Sequence, residues 1–140
     1  MMKFIVMPYN LNPDGDIYAG WLLSKMDLAG YTACKDYFQG RYVTIAINDT
    51  YFKQPVFVGD NLSIYTKIID IGKTSLHIYI KVCTKRIDDT LKNNDIIVTE
   101  GTFKYVHIDN NRMPLVIKKK LKKFGDLKKD FLIFYIFTKS

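Results

Sequence analysis

GDIYAGWLLSKMDLAG, residues 15–30, decides how the rest of this 140-residue chain is read. From Ile17 to about Phe38 there is no proline, and apolar residues occupy most sides, the pattern of a helix enclosed by other structure. Asp16 stands where an N-cap is expected, and Gly40 stands where the helix should stop. Along this greasy rod Asp16, Gly20, Ser24 and Asp27 recur at spacings of four, four and three, so they share one face. Glycine inside a helix costs about 1 kcal/mol relative to alanine, and a carboxylate in an apolar setting costs several kcal/mol unless it is paired.

Two arrangements offset that cost. In the structural one, Asp27 pairs with Lys25, with a lysine or arginine of a neighbouring strand, or with a backbone donor. In the chemical one, Asp27 stands in a partly desolvated cleft as a general base or nucleophile. Gly20 suits the second arrangement, because first-turn N–H groups have no intrahelical partner and glycine leaves room for a ligand. Amides that polarise a carbonyl oxygen, with a carboxylate about two turns farther along, are the parts that acyl transfer needs.

Outside the helix the period changes to two. Residues 3–7 form a short strand ended by Pro8 and the turn-rich residues 10–15. Residues 42–47, 62–71, 75–86 and 96–108 are β-branched, aromatic and alternating. In the third run Leu76, Ile78, Ile80 and Val82 face one way while His77, Tyr79 and Lys81 face the other, so one face is buried and one is wet. Turn signals at 55–60, 71–73 and 88–95 separate the runs. One long helix followed by antiparallel strands gives an α+β class, with the sheet burying its apolar face on the helix.

Length permits one domain, and 48% hydrophobic with 25% charged residues excludes disorder, collagen and coiled coil. Cys34 and Cys83 lack metal-ligand spacing and, with no signal peptide evident, read as reduced cytosolic thiols. The longest apolar run, residues 131–137, is far too short to span a bilayer. Of the net charge of +7, residues 118–140 carry +6 and residues 1–117 only +1. The basicity therefore belongs to a lysine-rich C-terminal extension, which reads as a solvated or loosely helical segment, or as a tether for a polyanion or membrane surface.

At these residues the chain resembles the hotdog-fold acyl-CoA thioesterases, and among them the small bacterial YciA-type enzymes. The resemblance rests on residues 7–8, GDIYAGWLLSKMDLAG (15–30), GRYVTIAI (40–47), FKQPVFVGD (52–60), IGKTSLHI (71–78) and VTEGTFKYVHID (98–109), in family order. It implies a hotdog fold over residues 1–117, with a long central helix wrapped by an antiparallel sheet. It further implies homodimers joined sheet edge to sheet edge, trimers of such dimers, and active sites at the dimer interface. Asp27 matches the family's catalytic aspartate, and Ala19-Gly20 matches its Gly-Gly pair, so the amides near Gly20 are implied as carbonyl polarisers. Asn12 matches the asparagine of the preceding loop, and Asp16 the polar residue of the family's G-(D/N)-I motif. Lys73, Thr74 and Ser75 match a coenzyme A-contacting turn, with Lys73 as phosphate partner. Tyr9-Asn10-Leu11-Asn12 replaces the common Ser-Asp-Thr-Asn, and Ala19 replaces a glycine.

Other sites are weaker. His77 and His107 lie on strands without a second ligand at metal spacing and read as ordinary strand residues, so no metal is expected. Tyr65, Tyr79, Phe103 and Tyr105 read as sheet packing rather than base-stacking platforms. No GxSxG, P-loop or dinucleotide motif occurs. The expectation is a cytoplasmic acyl-CoA thioesterase using no cofactor, coenzyme A being part of its substrate. The alternative is a non-catalytic acyl-CoA or metabolite binder on the same scaffold.

Overall fold

The computed structural model describes residues 1–87 and 93–118, with side chains outside 86–94. The expected extension beyond Lys118, and most of the polar turn at 88–95, lie outside the described residues. Chain order is β1 (Met2–Ile5), a 3-10 turn (Pro8–Asn10), α1 (Ala19–Tyr37), β2 (Arg41–Phe52), β3 (Asn61–Ile71), β4 (Ser75–Ile87) and β5 (Asn93–Ile108). The strands form one antiparallel sheet in the order β1-β3-β4-β5-β2, with α1 packed on one face. The α+β class and the alternating runs are as the sequence indicates. Among the described residues no helix is long and apolar enough to cross a membrane.

The alternation on β4 sets the core. Leu76, Ile78, Ile80 and Val82 are all fully buried, and Leu62, Ile64, Phe103 and Tyr105 from the flanking strands join them. Leu22, Met26, Ala29 and Cys34 close this layer from α1. Burying each large aliphatic side chain stabilises the fold by about 1.5–3 kcal/mol, which outweighs the modest helix propensity of this segment. The helix is covered on this side only: Ala19, Gly20, Ser24 and Leu28 are exposed. The described residues of one chain therefore do not enclose α1 as its composition suggests.

The helix starts later than expected, and Asp16 is not its cap. Tyr18 holds the N-cap position with no side-chain hydrogen bond. The reason is local: Asn12 Oδ1 accepts the N–H groups of Asp14 and Asp16, each at 3.0 Å, and the Asn12 N–H donates to the Asp16 carbonyl at 2.7 Å. This Asx-type closure commits the backbone of Asp16 to the loop, leaving its side chain exposed. Asp16 thus drops out of the helical stripe, and Gly20, Ser24 and Asp27 remain. At the other end the Phe38 N–H donates to the Cys34 carbonyl, and Gly40 at φ +153° turns the chain into β2. A side chain at Gly40 would overlap the His107 ring.

The outer face of the sheet is polar and cross-linked. Glu100 accepts hydrogen bonds from Lys53 and Tyr79, while Lys67 lies over the Tyr79 ring and Lys81 over the Tyr65 ring. Tyr65 and Tyr79 therefore pack on the outer surface under lysines, whereas Phe103 and Tyr105 belong to the core. The hydrogen bonds from Lys53 and Tyr79 hold the Glu100 carboxyl below its ordinary value of 4.5.

Leu76→Ala should lower stability by about 2–5 kcal/mol in urea unfolding at fixed protein concentration. A cost below about 1 kcal/mol would contradict its place at the centre of the core. Glu100 stabilises the fold in its ionised form, fully so above pH 4.5, and that contribution is lost as the pH falls through its lower folded value. Thermal unfolding of Glu100→Gln should accordingly show a deficit against wild type at neutral pH that narrows on acidification below pH 4.5.

Candidate active site

Asp27 sits on the third turn of α1, half-buried, at the side where the helix crosses β2 and β5. Thr44 and Tyr105 are Cα partners in the β2–β5 ladder, so their side chains stand on the same face of the sheet, beneath α1. Both donate to the carboxylate: Thr44 Oγ1 to Asp27 Oδ1 at 2.6 Å, and Tyr105 Oη to Oδ1 at 3.0 Å. Tyr105 Oη is also 3.0 Å from the Asp27 carbonyl oxygen. Among the described residues no lysine or arginine pairs with Asp27, and Oδ2 accepts no hydrogen bond. Lys25 points elsewhere, its Nζ lying 4.8 Å from the Phe4 ring centroid and 5.8 Å from that of Trp21. The carboxylate is thus satisfied by neutral hydroxyls at one oxygen and bare at the other, rather than locked in an ion pair.

The neighbouring titratable groups stay neutral. Burial, and then the charge of Asp27, push the Cys34 thiol up to about 12, so this fully buried sulfur is no nucleophile near neutral pH. The same two influences push the Tyr105 phenol far above its ordinary value, which keeps it a hydrogen-bond donor.

At the start of α1 the Trp21 and Leu22 N–H groups turn back to the Tyr18 carbonyl at 3.1 and 3.4 Å. The Ala19 and Gly20 amides have no acceptor among the described residues, and the space where a Gly20 side chain would project is open. Beside them lies a cleft of about 340 Å³ lined by Asp16, Ile17, Ala19, Leu22 and residues 52–56. Asn12 is in the adjoining loop, its Oδ1 used in the turn and its Nδ2 without a partner among the described residues.

The expected site residues therefore fall into three places. Asn12, Asp16 and Gly20 gather at the N-terminal end of α1. Asp27 stands seven residues farther along, roughly 10 Å at 1.5 Å per residue. Lys73, Thr74 and Ser75 form the β3–β4 turn, closed by the Gly72 N–H to Ser75 carbonyl bond, with Lys73 exposed. Ser75 pairs with Val106 near the end of β5, whereas the cleft lies beyond the far end of β2, whose Phe52 pairs with Thr99. One chain does not bring these three groups to a single point. Sequence reasoning missed Thr44, which it read only as part of an alternating strand, and gave Tyr105 no role beyond packing. The signal available for Tyr105 was its inward phase on β5, since a buried hydroxyl needs a partner and Asp27 is the carboxylate on the facing helix.

Comparison with known proteins agrees with this architecture. Residues 14–90 match the model of the Thioesterase superfamily. The acyl-CoA thioester hydrolase YciA of Escherichia coli is 35% identical over 114 residues, covering 81% of this chain and 86% of that protein. An uncharacterized acyl-CoA thioester hydrolase of Haemophilus influenzae is 32% identical over 111 residues, covering 79% and 72%. Among solved structures, a hexameric hotdog-fold thioesterase of Campylobacter jejuni superposes with a TM-score of 0.76 at 34% identity, covering 91% of this chain and 92% of that one. A hexameric broad-specificity acyl-coenzyme A thioesterase superposes at 0.82 with 27% identity, covering 99% and 96%. With a hotdog architecture, a carboxylate held beneath the helix and matches over most of its length, the chain belongs to the thioesterase superfamily.

Proposed function

We propose that the protein is a cytoplasmic acyl-CoA thioester hydrolase, releasing coenzyme A and a carboxylic acid, with Asp27 as the acting carboxylate. The observation that carries this reading is the state of Asp27: half-buried and, among the described residues, without a countercharge, one oxygen held and the other bare. Such an oxygen either takes a proton from the attacking water or adds to the thioester carbonyl itself, and both routes need an acceptor not already occupied. The uncapped Ala19 and Gly20 amides supply donors for the oxyanion that develops on the carbonyl oxygen.

Oxyanion donors work at about 2.7–3.1 Å, so amides roughly 10 Å from Asp27 along the same helix do not serve the carbonyl that Asp27 attacks. The reading therefore places two copies of the chain around each thioester, Asp27 from one and the helix start from the other. The sheet supplies the means. β2 is an edge strand of twelve residues, and Ile45, Ile47, Tyr51 and Phe52 on it are exposed, as is Leu28 on α1. An edge of that length with apolar residues is a template for pairing with its own copy. Trimers of such dimers agree with the hexamers described for the Campylobacter and Yersinia pestis thioesterases. Asn12 Nδ2 and Asp16 flank the entrance beside the helix start, and Lys73 with Thr74 and Ser75 meets the phosphates of coenzyme A. No further cofactor is needed, because the carbonyl is already activated by sulfur.

Asp27→Asn should fold with an unchanged thermal midpoint and lose about 10²–10⁴-fold in kcat, followed by reaction of the released coenzyme A with a thiol reagent. Turnover kept in the folded variant removes Asp27 from the chemistry, and acyl-CoA binding without thiol release in wild type would make the protein a binder instead. Lys73→Ala should raise KM for acyl-CoA about 5-fold with little change in kcat, the difference shrinking at high salt as expected for a screened phosphate contact.

A further inference from the structure

The Tyr105 hydroxyl is held in place at a cost to two elements. Tyr105 is fully buried on the inner face of β5, with its ring beside Phe103 at a centroid distance of 6.5 Å. Phenylalanine would pack there equally well without bringing a hydroxyl into an apolar layer, where it must find a partner. Across from it, α1 carries Gly30 in its interior, a position at which alanine would favour the helix. The two features are one device. A Cβ on Gly30 would overlap the Tyr105 hydroxyl and come within 2.8 Å of Cζ and 2.9 Å of Ile80 Cδ1. The missing side chain is the passage through which the phenol reaches Asp27, one turn earlier on the same helix. The Asp27 carbonyl does not require this donor, since it lies mid-helix where the backbone already supplies one.

We propose that Tyr105, admitted by Gly30, is a positioning residue for Asp27, gripping Oδ1 together with Thr44 so that Oδ2 is presented in one orientation to the reacting carbonyl. Two donors from adjacent strands at 3.0 and 2.6 Å fix both the position of Oδ1 and the rotation of the carboxylate plane. With Thr44 alone the group swings about a single hydrogen bond, on an edge strand whose register shifts at the very next residue, between Thr44 and Ala46. Tyr105 comes from an interior strand paired on both sides, which makes it the rigid member of the pair. The inference rests on the reading of Asp27 as the acting carboxylate.

Tyr105→Phe tests it in the full-length protein with an acyl-CoA substrate and thiol detection. The expected result is a kcat lower by about 10- to 100-fold with KM within about 2-fold of wild type, as for a misplaced reacting group. Gly30→Ala should produce the same split by pushing the phenol aside, which provides a second route should the phenylalanine variant fold poorly. In an Asp27→Asn background Tyr105→Phe should cause no further loss. A folded Tyr105→Phe enzyme with wild-type kcat, a loss confined to KM, or losses that multiply in the double variant would each overturn the proposal. If kcat collapses in Asp27→Asn and survives in Tyr105→Phe, the positioning role alone fails. If kcat survives Asp27→Asn, the functional reading fails and the inference goes with it.

Discussion

A carboxylate satisfied by hydroxyls instead of a cation is the constraint around which this molecule is arranged. A lysine or arginine beside Asp27 would neutralise it and occupy its oxygens, at the further cost of desolvating a second ion. Thr44 and Tyr105 satisfy a single oxygen without adding charge. That solution requires the helix to lie close against the sheet at one place. The small residues Ala29 and Gly30, both buried, permit that approach, and the flat aliphatic layer of Leu76, Ile78 and Ile80 supports it from below. The same layer keeps the thiol of Cys34 protonated and the phenol of Tyr105 a neutral donor to Asp27.

The sheet order explains how the site is both rigid and open. β4 and β5 are interior strands, and their longest ladder runs from Ser75↔Val106 to Ile87↔Asn93. Tyr105 is anchored there. β2 is the outer edge, with irregular pairing after Thr44 and again after Asn48, and it brings Thr44 to the rim where the carboxylate meets solvent. Interior strands supply precision and an edge strand supplies access, a division that suits a group which must be held firmly on one side and exposed on the other.

Periodicity made most of the architecture legible. The alternation Leu76, Ile78, Ile80, Val82 and the proline-free segment before Gly40 are driven by burial of apolar surface, and burial leaves a direct trace in sequence. Asp27 was legible for the opposite reason, as a polar residue that the pattern does not accommodate. The helix start was not, because Asp16 has the chemistry of a cap but its backbone is taken by the Asn12 turn, a competition between two local hydrogen-bonding schemes that residue type alone does not decide. Thr44 was hidden too. Its hydroxyl matters only because the β2–β5 register sets it beside Tyr105 under the helix, and register between strands some sixty residues apart is a tertiary property.

A helix is also a ruler, and here its length bears on how many chains the proposed site would need. The backbone rises about 1.5 Å per residue with little compliance, so the interval between the uncapped amides at Ala19 and Gly20 and the carboxylate at Asp27 does not shrink to the dimensions of one thioester group. Bending α1 enough to close that interval would tear Leu22 and Met26, which lie between the two positions, from the core. The exposed side of the helix at Gly20, Ser24 and Leu28 and the unpaired edge of β2 point in the same direction as this length argument. Under the proposed function, a second copy laid along that edge would cover apolar surface that the described residues of one chain leave exposed, and would bring a second set of amides toward the first copy's carboxylate. In that proposal association and catalysis would share one physical origin, because the apolar surface that is unfavourable to leave exposed adjoins Gly20 and Asp27 on the same helix.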